Sequence, residues 1–156
     1  MNENYDTLKV LLTKYKDTID VNRSTSINFT PLHLFCGVKN IVFRNEIKER
    51  PCLKELKVFL SNKNLKPNEQ ESTHLKSPLH LAVINSKDDF VSALLDLPSI
   101  DVNIQDDKKE TPLHIACNRY VFFSNNNVKY DILRLLLNSK NIDINIKNYK
   151  VFCFWF

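Results

Sequence analysis

Apolar residues recur at i, i+3 and i+4 in four separate stretches of the chain: Leu8, Leu11 and Leu12; Leu56, Phe59 and Leu60; Val91, Leu94 and Leu95; Leu133, Leu136 and Leu137. That is helical spacing with one buried face. Ahead of the last three stretches stand Thr30-Pro31-Leu32-His33, Ser77-Pro78-Leu79-His80 and Thr111-Pro112-Leu113-His114. A Thr or Ser hydroxyl satisfies an orphan amide at a helix start, and Pro at the first helical position loses no hydrogen bond. Helices are therefore predicted to begin at Pro31, Pro78 and Pro112, with the following Leu packed inward and the His placed to bridge backbone groups between turns. A third element, Ile19-Asp20-Val21-Asn22, returns as the degenerate Leu65-Lys66-Pro67-Asn68, as Ile100-Asp101-Val102-Asn103 and as Ile142-Asp143-Ile144-Asn145. Its aspartates suit turn capping. Asp20 to Asp101 spans the same length as Thr30 to Thr111, so both elements belong to one repeating unit. Tyr5-Asp6-Thr7-Leu8 echoes Tyr130-Asp131-Ile132-Leu133, so the chain opens on a second-helix sequence.

Together these residues resemble the ankyrin repeat family, whose unit of about 33 residues carries Thr-Pro-Leu-His-x-Ala and a later Leu-Leu…Asp-Val-Asn. The resemblance covers roughly residues 5–148 and implies an all-α solenoid of stacked helix-turn-helix units with extended finger loops. It divides the chain into a half repeat (1–25), a repeat with a long inter-helix insertion (26–72), a repeat (73–106), a repeat with an inter-helix insertion (107–148) and a hydrophobic tail or truncated repeat (149–156). Ala82 and Ala116 occupy the family's small-residue position, whereas Phe35 stands there in the earlier unit and predicts a wider local spacing. The family's turn glycines are missing. Asn28, Lys76 or a neighbour, and Lys109 stand near those sites, and because Lys tolerates the left-handed conformation poorly, strained or reshaped fingers are expected. Thr30 to Asn68 and Thr111 to Asn145 are longer than Ser77 to Asn103, with the surplus around residues 38–50 and 120–128. Pro51 is placed to start the helix after the first insertion. The aromatic cluster Tyr120, Phe122 and Phe123 in the second is expected to pack back on the helices.

Composition narrows the function. The chain has one glycine in 156 residues, which argues against a phosphate-cradling loop, because such loops use backbone positions that Gly fills. Net charge is +4, from 22 basic and 18 acidic residues mixed along the chain. A basic repeat protein associated with nucleic acid is the alternative that the pI of about 8.8 raises. Aromatic residues do not interleave with Arg and Lys on one face, which argues against it. No stretch has the length of a membrane span and no secretory leader pattern opens the chain, so the cytoplasm is the expected compartment. The four cysteines are scattered, as reduced thiols would be. His33-x-x-Cys36 and His114-x-x-Cys117 have zinc-ligand spacing, but lie two units apart with Val83 in the Cys position between them. No metal, cofactor or catalytic residue is assigned.

The resemblance implies a non-catalytic scaffold holding another protein on a concave face of fingers and first helices. Carried across by position, the contact set is Ser26, Ile27, Phe29 and Val38; Thr73, His74, Lys76, Ile84 and Asn85; Asp107, Lys108, Glu110, Asn118 and Arg119. Ile27, Phe29 and Ile84 are expected as its apolar centre and Arg119 as its polar anchor. Asn22, Asn68, Asn103 and Asn145 match the position that asparaginyl hydroxylases modify in the family, with Asn103 and Asn145 in the best context. A bond from this Asn to its own turn is the structural alternative. Phe152, Phe154, Trp155 and Phe156 fall where a further first helix would start, and are expected to cover Leu133, Leu136 and Leu137 or to mediate self-association. A fragment of a larger ankyrin-containing effector or enzyme is a further expectation.

Overall fold

The structure, a computed structural model, describes residues 14, 19–37, 42–43, 46–47, 53–122 and 131–149, with backbone alone at 42–43, 46–47 and 119–122. Among these the helices are α1 (Pro31–Gly37), α2 (Leu53–Leu60), α3 (Pro78–Ile84), α4 (Asp88–Leu95), α5 (Pro112–Phe122) and α6 (Asp131–Leu137). The three Pro-led helices start where the capping residues predict. α1, α3 and α5 pack side by side as one layer, and α2, α4 and α6 form a second layer beneath them. The units are thus stacked helix pairs. Within the first insertion Val42–Phe43 (β1) pairs antiparallel with Glu46–Ile47 (β2), a short ribbon added to an otherwise helical chain.

The predicted apolar stripes form the core. Leu32, Leu79 and Leu113 from the first helices and Leu56, Leu94 and Leu136 from the second are essentially inaccessible to solvent. Removing one such side chain costs about 2–5 kcal/mol. Leu137 departs from the expected stripe and is 42% exposed. Phe35 does not open a void where the other units carry Ala. Its ring meets Phe59 of α2 at 5.2 Å and fills the space between the layers. Gly37, the one glycine, sits where a Cβ would lie 3.2 Å from Leu81 Cδ1, so the last turn of α1 approaches α3 closely.

Polar groups between units are used as staples. Ser77 Oγ caps α3, while its backbone N–H donates to His80 Nδ1 at 3.1 Å. A backbone amide can only donate, so Nδ1 is the acceptor and Nε2 carries the proton that goes to Glu110 O at 3.0 Å in the next unit. His33 repeats the arrangement with Thr30 and with Lys76 O. Burial holds both imidazoles below the ordinary histidine range, His80 at about 4, despite the opposing pull of those carbonyls. The end of α1 is closed from the neighbouring unit. Asn85 Nδ2 donates to Cys36 O and Gly37 O, and Lys87 Nζ to Phe35 O at 2.7 Å. These carbonyls would otherwise be orphans of the helix end.

The repeated asparagines differ from expectation. Asp20, Asp101 and Asp143 cap their own turns, each accepting from the Asn two residues on. The Asn side chains instead cross to the next unit. Asn22 donates to Asn64 O and accepts from Lys66 N–H, Asn68 donates to Ser99 O and accepts from Asp101 N–H, and Asn103 donates to Asn141 O and accepts from Asp143 N–H. At Asn22 and Asn103 the Asp already satisfies the local amide, which leaves the carboxamide's donor and acceptor to join adjacent turns. Asn68 makes the same crossing with Lys66 in the Asp position. The half repeat before residue 19, the start of α2 at Pro51, the second insertion beyond α5 and the tail at 151–156 lie outside the described residues.

Candidate functional site

Each unit ends in a finger, a tight hairpin closed by backbone hydrogen bonds. Thr25 N–H donates to Phe29 O, Glu71 N–H to Lys76 O, and Asp106 N–H to Glu110 O. The second finger is one residue longer than its neighbours. Its closing Glu71 carboxylate accepts from the N–H groups of Thr73, His74 and Lys76. Asp106 does the same for Lys108 and Glu110, and also takes Lys76 Nζ at 2.6 Å. Burial pushes both carboxyls up. The converging donors outweigh it and hold both below the usual carboxylate range.

The penultimate residue of each finger is left-handed without being glycine: Asn28 at φ 55°, Leu75 at 51° and Lys109 at 58°. The reshaped turns expected from the missing glycines are present. In the second finger it is Leu75, the neighbour of Lys76, which stands two residues before Ser77 as Asn28 does before Thr30 and Lys109 before Thr111. The fingers join into a row. Ser72 N–H donates to Ile27 O at 2.8 Å, Asp107 N–H to His74 O at 3.1 Å, and Tyr149 N–H to Lys108 O at 3.3 Å. Beneath them run side-chain amides: Asn28 Nδ2 to Gln70 O, Gln70 Nε2 to Leu75 O and Gln105 O, and Gln105 Nε2 to Lys109 O and Lys147 O.

This row brings most of the predicted contact residues together. Ser26, Ile27, Thr73, His74, Asp107 and Lys108 are exposed along it, and Asn118 is exposed on α5 with its amide 3.1 Å from Glu110 Oε1. Several others serve the fold. Phe29 leans on the His33 ring at 5.0 Å, Lys76 is consumed by the Asp106 ion pair, and Asn85 closes α1. Ile84 is half buried against the core and is not a solvated apolar centre, since it is the last residue of α3 and faces its neighbours. Val38 and the side chain of Arg119 lie outside the described residues. Three exposed groups on the row were not picked out from sequence: Leu75 at 44%, Tyr149 at 69%, and Lys147. The signal that marks Leu75 is its register, two residues before the capping Ser77, which matches Asn28 and Lys109.

The remaining chemistry of the site is inert. Burial raises the Cys36 thiol to about 12 and that of Cys117 to about 11. Both ring nitrogens of His33 and of His80 are held by hydrogen bonds. Among the described residues no three His, Cys, Asp or Glu side chains gather as metal ligands, and no helix is long and apolar enough to cross a membrane.

A family model for ankyrin repeats, three copies, matches residues 44–148. The chain belongs to the ankyrin repeat family. Thr30-Pro31-Leu32-His33 lies before that match, yet α1 packs on α3 as α3 packs on α5, so the ankyrin stack extends toward the N-terminus. Ankyrin repeats are protein-interaction modules. Over 48 residues the chain is 48% identical to the SMC5-SMC6 complex localization factor protein 1 of Bos taurus, and equally to that of Homo sapiens. The matched stretch covers 30% of this chain and 4% of either relative.

Proposed function

We propose that this ankyrin stack is a non-catalytic scaffold that binds a partner protein along the finger row and the exposed turns of α1, α3 and α5. The observation that carries the reading is the joined row of fingers, which presents Ile27, Leu75 and Tyr149 to solvent among charged groups. A few accessible apolar residues rimmed by polar ones suit a recognition surface. Ile27 and Leu75 take the place that Ile84 was expected to fill. The engaged imidazoles and high-pKa thiols support a role without catalysis. Among the described residues Cys36, buried, and Cys117, partly buried, are free thiols, which suits the reducing cytoplasm.

The test is affinity capture with mass spectrometry, using the wild type, a finger variant (Ile27→Ser with Leu75→Ser) and a second-layer variant (Arg134→Glu with Lys140→Glu). A partner kept by the second-layer variant and lost by the finger variant supports the reading. The opposite pattern moves the binding surface to α2, α4 and α6.

A further inference from the structure

The finger row has a charge polarity, and with it a chemical preference for its ligand. Its first two fingers offer Ile27 and Leu75, exposed and uncharged. Its third finger and the turn that joins it at Tyr149 offer Lys108, Lys109 and Lys147, all exposed, around the open ring of Tyr149. Hydrogen bonds from Tyr149 N–H to Lys108 O, and from Gln105 Nε2 to Lys109 O and Lys147 O, hold these residues on one surface. Lys109 Nζ stands 6.0 Å from the Tyr149 ring centroid.

Of the carboxylates at this end only Asp106 is turned inward, and the other two face polar neighbours. Asp106 is fully buried against Lys76, Asp107 faces His74 Nδ1 at 3.2 Å, and Glu110 Oε1 takes the Asn118 amide. Among the described residues no carboxylate forms an ion pair with Lys108, Lys109 or Lys147. Three exposed ammonium groups thus stand together without an ion pair among the described residues, beside the carboxylates of Asp107 and Glu110, and leave this end positive on balance.

We infer that the ligand is an extended acidic peptide segment of a partner protein, its Asp and Glu side chains set against Lys108, Lys109, Lys147 and Tyr149, and an adjoining apolar residue set against Leu75 and Ile27. The inference rests on the proposed finger-row reading and specifies its chemistry. A peptide fits better than a nucleic acid for two reasons. The lysines are few and confined to one end of the row, whereas a nucleic-acid backbone needs neutralising contacts along its whole length. The apolar end has no use for phosphates, whereas a Leu or Phe beside an acidic run satisfies both ends at once.

The experiment is selection from a display library of random linear peptides on the full chain. Enriched peptides are then titrated by fluorescence anisotropy against the wild type, Lys108→Glu with Lys147→Glu, Leu75→Asp, and Arg134→Glu with Lys140→Glu. A single-stranded oligothymidylate serves as the nucleic-acid probe, and thermal melts confirm that each variant is folded. Enrichment of acidic runs next to an apolar residue is expected. Affinity should drop by roughly tenfold or more in the lysine pair, the size expected for reversing two charges near a surface, and should fall with salt as exposed charges are screened. Neutral or basic peptides, an empty selection, or tighter binding of the oligonucleotide at physiological salt would overturn the inference. Neutral peptides that are lost in Leu75→Asp would overturn the acidic preference alone and leave the finger row standing. Acidic peptides that ignore both finger variants and are lost only in the Arg134 and Lys140 pair would sink both.

Discussion

Replacing Leu75 by Gly should make the protein more stable, although it deletes a large apolar side chain. Leu75 is held at φ 51°, where an L-residue costs about 1–2 kcal/mol. Glycine relieves that and returns about 0.5–1 kcal/mol of it as extra freedom in the unfolded chain. The side chain is 44% exposed, so losing the burial of the remainder offsets up to about 1 kcal/mol. The Gln70 Nε2 bond goes to the Leu75 carbonyl and survives the change. The net gain is at most about 0.5 kcal/mol, or under about 2 °C in midpoint for a domain of this size. Lys109→Gly, at φ 58°, should gain less, because its ammonium also gives up the Tyr149 ring. Asn28→Gly should gain nothing. Asn tolerates the left-handed region, and its amide bonds Gln70 O at 2.7 Å, a contact of about 0.5–1.5 kcal/mol. Equilibrium urea unfolding followed by far-ultraviolet circular dichroism separates the three. Destabilisation by Leu75→Gly, or an equal gain at Asn28, would refute the argument that the second finger stores strain at Leu75. If the row binds as proposed, Leu75→Gly should also weaken binding, so that stability and affinity move in opposite directions.

Three further outcomes follow from the same geometry. Folded His80 has its pKa near 4 against 6.5 for the free side chain, so the unfolded chain binds more protons between those values. Stability should therefore rise with pH across that window and be complete above it, by up to about 3 kcal/mol at about 1.4 kcal/mol per unit, with Glu71 and Asp106 extending the loss at lower pH. His80→Gln should flatten the slope of urea stability against pH, and an unchanged slope removes His80 as its source. Deleting residues 151–156 should lower the unfolding midpoint or abolish self-association in analytical ultracentrifugation, and if neither changes the tail does not cover α6. For asparaginyl hydroxylation we propose Asn145 ahead of Asn103, whose amide is clamped on both sides by Asn141 and Asp143; peptide mass mapping after exposure to such an enzyme decides, and an unmodified Asn145 rejects the idea.

The helix starts and the core were legible because each rests on local chemistry repeated in register. A capping hydroxyl, a Pro at the first turn and a 3.6-residue apolar stripe act within a few residues of one another. What crosses between units was not legible. Lys76 reads as a surface lysine until the next finger brings Asp106 to 2.6 Å. Asn85 and Ile84 read as an exposed turn, but α3 ends there and its cap reaches back to close α1. The same holds for the Asn22, Asn68 and Asn103 ladder, whose partners lie one unit away. Leu75 was legible in principle: it stands two residues before Ser77, in register with Asn28 and Lys109, and only its apolar side chain disguised a finger-tip position.

Amide hydrogen exchange on the complex with a captured partner tests the central claim most directly. The account predicts slowed exchange at the finger amides of residues 26–28, 72–75 and 107–109, with no change along α4 and α6. Protection confined to α4 and α6, with finger amides exchanging as in the free protein, would contradict it.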